Sequence, residues 1–327
     1  MTPDRPTPAR PSLAGRRVAV AGASGLLGSH VAALLAAEGA VVRVSRHRSP
    51  LPPEVPADAT VEGDLRVPAV AAAFVEGMER VYLCTGVVGG AGMIGRSVAQ
   101  VTQTLATAVQ LLEAAALAGV PRVGVVSSTT VYPPGDYPMR EEEGFDGEPS
   151  PAWAGLGWMN RSLEKVAAHL TATGALPAAV IRPAAIYGPR DRFGPGAHVI
   201  PGLIGRALAR EDPFVVWGDG TAVRDFVHAA DVARALVDAV ELAADAVPIN
   251  VGAGVAVTVA DLVTAVLEAA GHRPASLVFD ATKPTTVPVR RIAVDRARER
   301  LGFVPRFELR DGLADTIRWL TDQPPRG

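Results

Sequence analysis

The sequence predicts an α/β fold in which a doubly wound parallel sheet is joined to a smaller C-terminal domain. A glycine-rich segment links an apolar strand to an apolar helix near the N-terminus, strand-like and helix-like segments then alternate to about residue 182, and the pattern loosens beyond Tyr187. We therefore predict a disordered tail over residues 1–13, a Rossmann-type nucleotide-binding domain over 14–188 and a mainly substrate-binding domain over 189–327, interleaved with the first.

The individual elements follow from short apolar runs and from apolar residues at helical spacing. The predicted strands of the first domain are 18–21, 41–44, 60–63, 80–84, 122–127 and 178–182, and its helices are 26–38, 67–77, 97–119 and 157–173. In the C-terminal third we predict helices near 199–209, 230–243 and 311–321 and strands at 214–217 and 248–251.

The glycine-rich segment has the pattern of a dinucleotide-binding turn. Its glycines are Gly22, Gly25 and Gly28. This spacing allows a tight turn, a close approach of backbone to a pyrophosphate and close packing of the helix on the strand. The phosphates then lie at the helix N-terminus, so we predict that the three glycines, Ser24 and Leu26 bind the cofactor.

The end of the second strand bears on the choice of dinucleotide. An acid about 20 residues beyond the glycines indicates NAD, because it binds the ribose 2′-hydroxyl. Here Ser45, Arg46 and Arg48 occupy that region, and guanidinium groups match phosphate geometry. The sequence favours NADP over NAD, with a solvated basic loop as the alternative. Asp64, after the third strand, is predicted to meet the adenine amine.

The composition excludes several classes of function. With 327 residues and 48% hydrophobic content the chain can bury a full core. Its net charge of -2 lacks the excess of positive charge expected of a protein that binds nucleic acid or an anionic membrane. We find no secretory signal and no apolar run of about 20 residues. A single cysteine, Cys84, suits a reducing compartment, so we expect a cytoplasmic protein. No histidine lies near the acidic run 141–143, and we predict no metal.

Further motifs are distributed along the chain at 63–65, 127–132, 182–189 and 224–231. With the glycine turn, they resemble the extended short-chain dehydrogenase/reductases, the NAD-dependent epimerase/dehydratase family. The segments 86–90, 198–201 and 216–226 are most similar to the GDP-L-fucose synthase-like members. The resemblance implies an NADP-dependent epimerase/reductase or dehydratase that acts on a nucleotide-diphosphate 4-keto-6-deoxyhexose, and a homodimer paired through the helices at 97–119 and 157–173.

The resemblance also implies site residues. Cofactor binding extends to Leu65, Cys84, Asn160 and Pro183. Family members carry a serine or threonine and a Tyr-x-x-x-Lys pair, in which the tyrosine moves a proton and the lysine lowers its pKa. Ser128 matches the serine, but Leu156 and Asn160 stand at the tyrosine and lysine positions. A positioned general acid or base is typically worth about 10²–10⁴ in rate, so ordinary ketoreduction is not expected.

The sugar side of the site is implied in the same way. Thr130 stands where related enzymes carry a cysteine base, and His198 matches their histidine acid, whose near-neutral pKa suits proton transfer. The predicted catalytic residues are thus Ser128, Thr130 and His198. The predicted substrate-binding residues are Arg206, Arg224 and Tyr132, and Arg290 and Arg291 are candidates for further diphosphate contacts.

Several alternatives stay open from sequence. Each of three candidates also has a possible structural role: His198 at the start of a helix, Arg224 in a surface salt bridge, and Arg290 as an exposed basic residue. For the whole chain, the alternative to an enzyme is a non-catalytic or regulatory protein that keeps the dinucleotide and sugar pockets. A third reading is an ordinary reductase whose proton donor is Tyr132 or Tyr137.

Overall fold

A computed structural model describes residues 10–86, 98–194, 196–283 and 285–323 of the chain. The strands, in chain order, are β1 (Arg17–Ala21), β2 (Val41–Arg46), β3 (Ala59–Glu62), β4 (Arg80–Leu83), β5 (Arg122–Val126), β6 (Pro138–Met139), β7 (Ala178–Pro183), β8 (Ala185–Tyr187), β9 (Phe214–Trp217), β10 (Val223–Arg224), β11 (Phe226–His228), β12 (Ile249–Val251), β13 (Val257–Thr258), β14 (Leu277–Asp280) and β15 (Arg291–Ile292).

The α-helices described are α1 (Leu26–Ala37), α2 (Pro68–Val75), α3 (Val98–Leu117), α4 (Ala154–Ala172), α5 (Val199–Leu208), α6 (Ala229–Leu242), α7 (Val259–Ala269), α8 (Asp295–Leu301) and α9 (Leu309–Asp322). Short 3-10 helices occupy Thr129–Val131, Glu141–Phe145 and Pro151–Trp153. Residue 97 of the predicted third helix and residues 87–90 of a family-like motif lie outside the described residues.

Seven strands form one parallel sheet, which confirms the predicted fold class. Their order is β12-β7-β5-β4-β1-β2-β3, so β1 lies between β4 and β2 where the winding reverses. In such sheets ligands bind outside the carboxyl ends of the strands at this reversal. The carboxyl ends of β1, β2, β4 and β5 therefore define the edge where a functional site is expected.

Both faces of the sheet are covered by apolar helices. Side chains alternate along β1: Val18 and Val20 pack with α1, α6 and α8, whereas Ala19 and Ala21 pack with α2, α3 and α4. In α1, apolar residues at helical spacing, among them Val31 and Leu35, are fully buried against this layer. The result is a three-layer α/β/α core.

The second domain has its own apolar cluster, built on α5, α7, α9 and the β9–β14 pair. It is not contiguous in sequence, because α6 returns to pack on α1 and β12 joins the large sheet beside β7. The C-terminal part of the chain thus contributes both to this cluster and to the large sheet. No helix in the described parts of the chain is long and apolar enough to cross a membrane.

The last residues of the predicted tail are part of the folded domain. Leu13 is 2% exposed and belongs to the core cluster around β1, and Arg10 pairs with Glu38 and Asp238. The predicted tail therefore extends too far, because one apolar residue among prolines and arginines gives little sequence signal for burial.

Candidate active site

The turn between β1 and α1 accepts only glycine at two of its three glycine positions. Gly22 has a φ of 84°, and a Cβ there would lie 2.6 Å from the carbonyl oxygen of Cys84. A Cβ on Gly28 would lie 2.2 Å from the carbonyl oxygen of Gly22. These contacts bring β1, β4 and α1 together as a dinucleotide-binding turn requires.

The start of α1 is suited to an anion. Gly25 is its N-cap and offers no side-chain hydrogen bond, and the first turn carries no acidic residue. The first N–H groups of the helix therefore remain available, and the helix dipole favours a negative charge there. The backbone of this turn, including Ser24 and Leu26, fits a pyrophosphate group.

We expect Gly28→Ala to weaken dinucleotide binding and to lower the free energy of unfolding by about 1–3 kcal/mol, the usual cost of overpacking. The new methyl group meets the rigid carbonyl of Gly22, so β1 and α1 must separate. Fluorescence titration with NADPH and urea unfolding measure the two effects. Gly205→Ala in α5 is the matched control, because a Cβ there meets nothing within 4 Å. Equal effects of both substitutions would contradict this account.

The predicted 2′-phosphate site contains a carboxylate that sequence reasoning missed. Arg46 ends β2 and lies opposite Glu62 at the end of β3, and the two side chains form an ion pair. Arg48 is exposed, and the Ser45 hydroxyl accepts a long hydrogen bond from the Gly22 N–H at 3.4 Å. Arg46 therefore already has an ion-pair partner. The two residues meet because β2 and β3, which are separate in sequence, pair in this parallel register.

Four other predicted cofactor residues differ in the chemical groups that they offer to a ligand. Arg66 donates to both carboxylate oxygens of Asp64, at 3.0 Å from its Nε, and lowers the pKa of Asp64 to about 2, so Asp64 is an ionised acceptor. Leu65 is buried in the apolar core, so its predicted role is restricted to backbone contacts. Burial raises the pKa of the Cys84 thiol to about 12, and its carbonyl borders the glycine turn. Pro183 is buried at the end of β7.

The carboxyl end of β5 carries two of the predicted catalytic residues. Ser128 is the N-cap of the short helix Thr129–Val131, and its Oγ accepts from the N–H of Thr130 at 3.2 Å. Asn160 reaches this helix from α4: its Nδ2 lies 3.1 Å from Thr130 Oγ1 and 3.0 Å from the carbonyl oxygen of Leu156. The structure therefore brings Ser128, Thr130 and Asn160 together, with Leu156 one helical turn before Asn160.

Gly157 allows α4 to approach this cluster. A Cβ at Gly157 would lie 2.6 Å from the carbonyl oxygen of Thr130 and 2.4 Å from Cβ of Pro149. The backbone of α4 is thus pressed against the helix that carries Thr130, which fixes the distance between Asn160 and the Thr130 hydroxyl.

Tyr132 does not face a ligand cleft, which corrects its prediction as a substrate-binding residue or proton donor. Its side chain is fully buried, its hydroxyl donates to Asn250 Oδ1 at 2.6 Å, and it accepts from Arg182 Nη1 at 3.0 Å. Burial raises the pKa of Tyr132 to about 12. The other alternative donor, Tyr137, is exposed and donates to Glu143 Oε1 at 2.6 Å.

His198 begins α5 and lies beside a buried carboxylate. Its Nδ1 is 4.0 Å from Oδ1 of Asp191, and 37% of its side chain is exposed. Burial raises the pKa of Asp191 to about 6, and its Oδ2 has no hydrogen-bond partner in the described structure. His198 is the N-cap residue of α5, and its imidazole is accessible. A structural role at the start of the helix is therefore compatible with the predicted catalytic role.

Two arginines, the partly buried Arg224 and the buried Arg290, lie near Trp153. The guanidinium carbons of Arg224 and Arg290 lie 5.9 and 5.3 Å from the Trp153 ring. Arg224 donates to Thr286 Oγ1 at 2.7 Å and to backbone carbonyls, and Arg290 donates to Ser150 Oγ at 2.6 Å. Burial lowers the pKa of each to about 10, and Arg224 adds to this effect on Arg290.

Neither arginine forms an ion pair with a carboxylate in the described parts of the chain, and Nε of Arg290 has no hydrogen-bond partner there. The alternative readings of Arg224 as a surface salt bridge and of Arg290 as an exposed residue are wrong. Arg206 differs, because it pairs with Glu211 and stacks on Phe214 at 4.7 Å. Sequence analysis predicts the same role for Arg206 and Arg224 and assigns none to Trp153. Trp153 and Arg290 lie near Arg224 only in the folded chain.

Comparison with known proteins agrees with this architecture. The model of the NAD dependent epimerase/dehydratase family matches residues 18–252. A rice (Oryza sativa subsp. japonica) protein named as a GDP-L-fucose synthase is 32% identical over 93% of this chain and 86% of its own length. A dTDP-4-dehydro-6-deoxy-D-allose reductase from a Streptomyces species is 31% identical over 94% of this chain and 96% of its own.

Other matches are shorter or structural. The matches to GDP-L-fucose synthases of Arabidopsis thaliana and Escherichia coli span only 38% and 44% of those proteins. The solved structure of MoeE5 in complex with UDP-glucose and NAD is 30% identical, has a TM-score of 0.78, and covers 94% of this chain and 99% of its own. The family and these relatives comprise enzymes that act on nucleotide sugars. On this evidence the chain belongs to the NAD-dependent epimerase/dehydratase family.

Proposed function

We propose that this protein is an NADP-dependent enzyme that epimerises a nucleotide-diphosphate 4-keto-6-deoxyhexose without completing the reduction that many family members perform. The relatives named as GDP-L-fucose synthase and dTDP-sugar reductase support the substrate class. The observation that carries the proposal is the cluster at the end of β5, where hydroxyl groups are present but the titratable pair is replaced by Leu156 and Asn160.

The chemistry follows from the groups present. A bound nicotinamide would supply or accept hydride, but neither Leu156 nor Asn160 can carry the accompanying proton. Proton abstraction next to a carbonyl needs only a base and donors for the developing oxyanion. In this proposal His198 takes the proton from the adjacent carbon, and the electron pair moves to the carbonyl oxygen. Ser128 and Thr130 bind that oxygen. The electron pair then returns to the carbon, which takes a proton from solvent on the face opposite His198, so its configuration is inverted.

The diphosphate of the substrate is proposed to bind at Arg224, Arg290 and Trp153. Two desolvated guanidinium groups with no carboxylate partner in the described structure favour an anion of high charge, and guanidinium forks suit phosphate oxygens. The ring of Trp153 lies 5.9 and 5.3 Å from the two guanidinium carbons and adds a cation–π contact to each.

The preference for NADP is a proposal supported by Ser45, Arg46 and Arg48, whereas MoeE5 was solved with NAD. Glu62 competes with a 2′-phosphate for Arg46, but both side chains are about half exposed or more. An exposed ion pair is worth only about 0–1 kcal/mol, so a phosphate can displace the carboxylate.

We expect Glu62→Gln to raise the affinity for NADPH relative to NADH by up to about fivefold, because it frees Arg46 and removes a repulsive charge. Arg46→Gln should shift the ratio in the opposite direction. Fluorescence titration of both dinucleotides measures the ratio. If neither substitution changes it, Arg46 does not contact a 2′-phosphate.

The alternative function, a non-catalytic dinucleotide- and nucleotide-sugar-binding or regulatory protein, is favoured by the same loss of the tyrosine and lysine. The deciding test incubates the protein with NADP and GDP- or dTDP-4-keto-6-deoxyhexose in deuterated water, followed by mass spectrometry. Epimerisation predicts deuterium on the carbon beside the carbonyl, above a protein-free control, with no net change in NADP. His198→Asn should abolish it, and His169→Asn, on the exposed face of α4, should not. Bound nucleotide sugar without exchange would establish the alternative.

We also propose a cytoplasmic homodimer paired through α3 and α4. Support comes from exposed apolar side chains on these helices, Val109, Leu117 and Trp158, of which Leu117 is 84% exposed. Light scattering on the purified protein distinguishes a dimer from a monomer, and Leu117→Glu with Val109→Glu should favour the monomer.

A further inference from the structure

The amide of Asn160 has its orientation fixed by its surroundings. The carbonyl oxygen of Leu156 can only accept a hydrogen bond, so the amide atom 3.0 Å from it must be the nitrogen. The same nitrogen lies 3.1 Å from Oγ1 of Thr130. Both hydrogens of Nδ2 are then used, one on the helix backbone and one on the threonine.

This arrangement decides what the Thr130 hydroxyl can do. Because Oγ1 accepts from Asn160, the hydroxyl hydrogen must point elsewhere, and no acceptor for it is found in the described structure. Ser128 is in the same situation, since its Oγ accepts from the Thr130 N–H. A hydroxyl that accepts from an amide is also less basic, which makes Thr130 a poor proton acceptor. The end of β5 therefore presents two O–H donors and no base.

We propose that Asn160 is a positioning residue that fixes the Thr130 hydroxyl as a hydrogen-bond donor to a carbonyl oxygen of the substrate. This inference rests on the proposed function and deepens it, because a pair of donors complements a ketone oxygen, which has two lone pairs and no hydrogen. The substrate must then arrive already oxidised at that carbon. A separate oxidation or dehydration reaction must supply it.

Asn160→Asp tests the polarity of this contact. The carboxylate has nearly the shape of the amide but no hydrogen, so the Thr130 hydroxyl must turn to donate to it and is lost to the substrate. We expect deuterium exchange to fall about 10²-fold, as for the loss of one oxyanion donor, and affinity for the keto sugar to fall about tenfold. Thr130→Val should give the same losses, whereas Thr130→Ser should restore most of both.

The double variant separates positioning from a structural role. If Asn160 acts through Thr130, adding Asn160→Asp to Thr130→Val has no further effect on exchange or affinity. Additive losses would overturn the inference. Asn160→Ala removes the hydrogen bond to the Thr130 hydroxyl without offering it an acceptor, so its exchange rate and affinity should lie between those of the wild type and Asn160→Asp. It also controls for any effect on folding of a carboxylate next to the Leu156 carbonyl. Affinity for the nucleoside diphosphate alone, bound by Arg224 and Arg290, should stay unchanged throughout.

Calorimetric titration with the keto sugar distinguishes a failure of this inference from a failure of the proposed function. A wild type that binds the keto sugar but exchanges no deuterium would refute the proposed function, and the order of affinities among the variants would still decide the role of Asn160. An affinity for the keto sugar that is the same in all five variants would overturn this inference even if exchange is observed. A wild type that binds neither keto sugar would overturn both.

Discussion

Leu156→Tyr combined with Asn160→Lys is expected to give the protein a hydride-transfer activity that the wild type lacks. The two positions are four residues apart on α4, on the same side of the helix, next to Ser128 and Thr130. A tyrosine at 156 supplies the proton and a lysine cation at 160 lowers its pKa. A positioned acid or base of this kind is worth about 10²–10⁴ in rate.

The rate is measured as the change in nicotinamide fluorescence when NADPH and a keto sugar are mixed with the protein. Each single substitution should give much less than the pair, because either a proton donor or its activating cation is missing. Leu156→Phe with Asn160→Met is the matched control, since it reproduces the bulk without titratable groups. Thermal unfolding must accompany the assay, because Asn160 is 5% exposed and a buried lysine carries a desolvation cost. A wild type that already reduces the sugar at the rate of the double variant would contradict the account.

The features that the sequence predicts well are those with a local cause. The glycine turn is one, because the contact that requires glycine at position 28 is with the backbone of Gly22 in the same turn. The proximity of Asn160 to Thr130 is consistent with the predicted site, but the assignment of Leu156 and Asn160 to the family's tyrosine and lysine positions stays a prediction from motif spacing. The parallel sheet with helices on both faces follows from the alternation of strand and helix.

The failures have a different cause, which is long-range contact. Tyr132 looks like a cleft residue in sequence, but its partners Asn250 and Arg182 are 118 and 50 residues away. Arg46 meets Glu62 only because β2 and β3 pair in one register. The proposed anion site at Trp153 joins three separate segments. No local sequence pattern shows that Arg206 has a carboxylate partner, whereas Arg224 and Arg290 have none in the described structure.

The second large effect is expected from Glu164→Gln, which should lower the free energy of unfolding by about 3–5 kcal/mol. Glu164 on α4 binds Arg182 through two contacts, Nε to Oε1 at 2.8 Å and Nη2 to Oε2 at 2.7 Å, and it accepts from the Ser127 hydroxyl. Burial alone would lower the pKa of Arg182, but Glu164 and Tyr132 raise it. Removing the carboxylate therefore leaves a buried cation whose charge nothing balances.

Urea unfolding of the variant measures this loss, and Glu268→Gln is the matched control. The pair of Glu268 with Arg310 is more than half exposed on both sides, so its loss should cost no more than about 1 kcal/mol. Arg182→Met with Glu164→Leu should recover much of the stability, because an apolar pair of similar volume needs no charge compensation. Glu164 lies one helical turn beyond Asn160 and ties α4 to β5 and β7. If Glu164→Gln unfolds like the wild type, the buried ion pair does not hold α4 in place, and the position of Asn160 beside Thr130 must depend on the close packing at Gly157 instead.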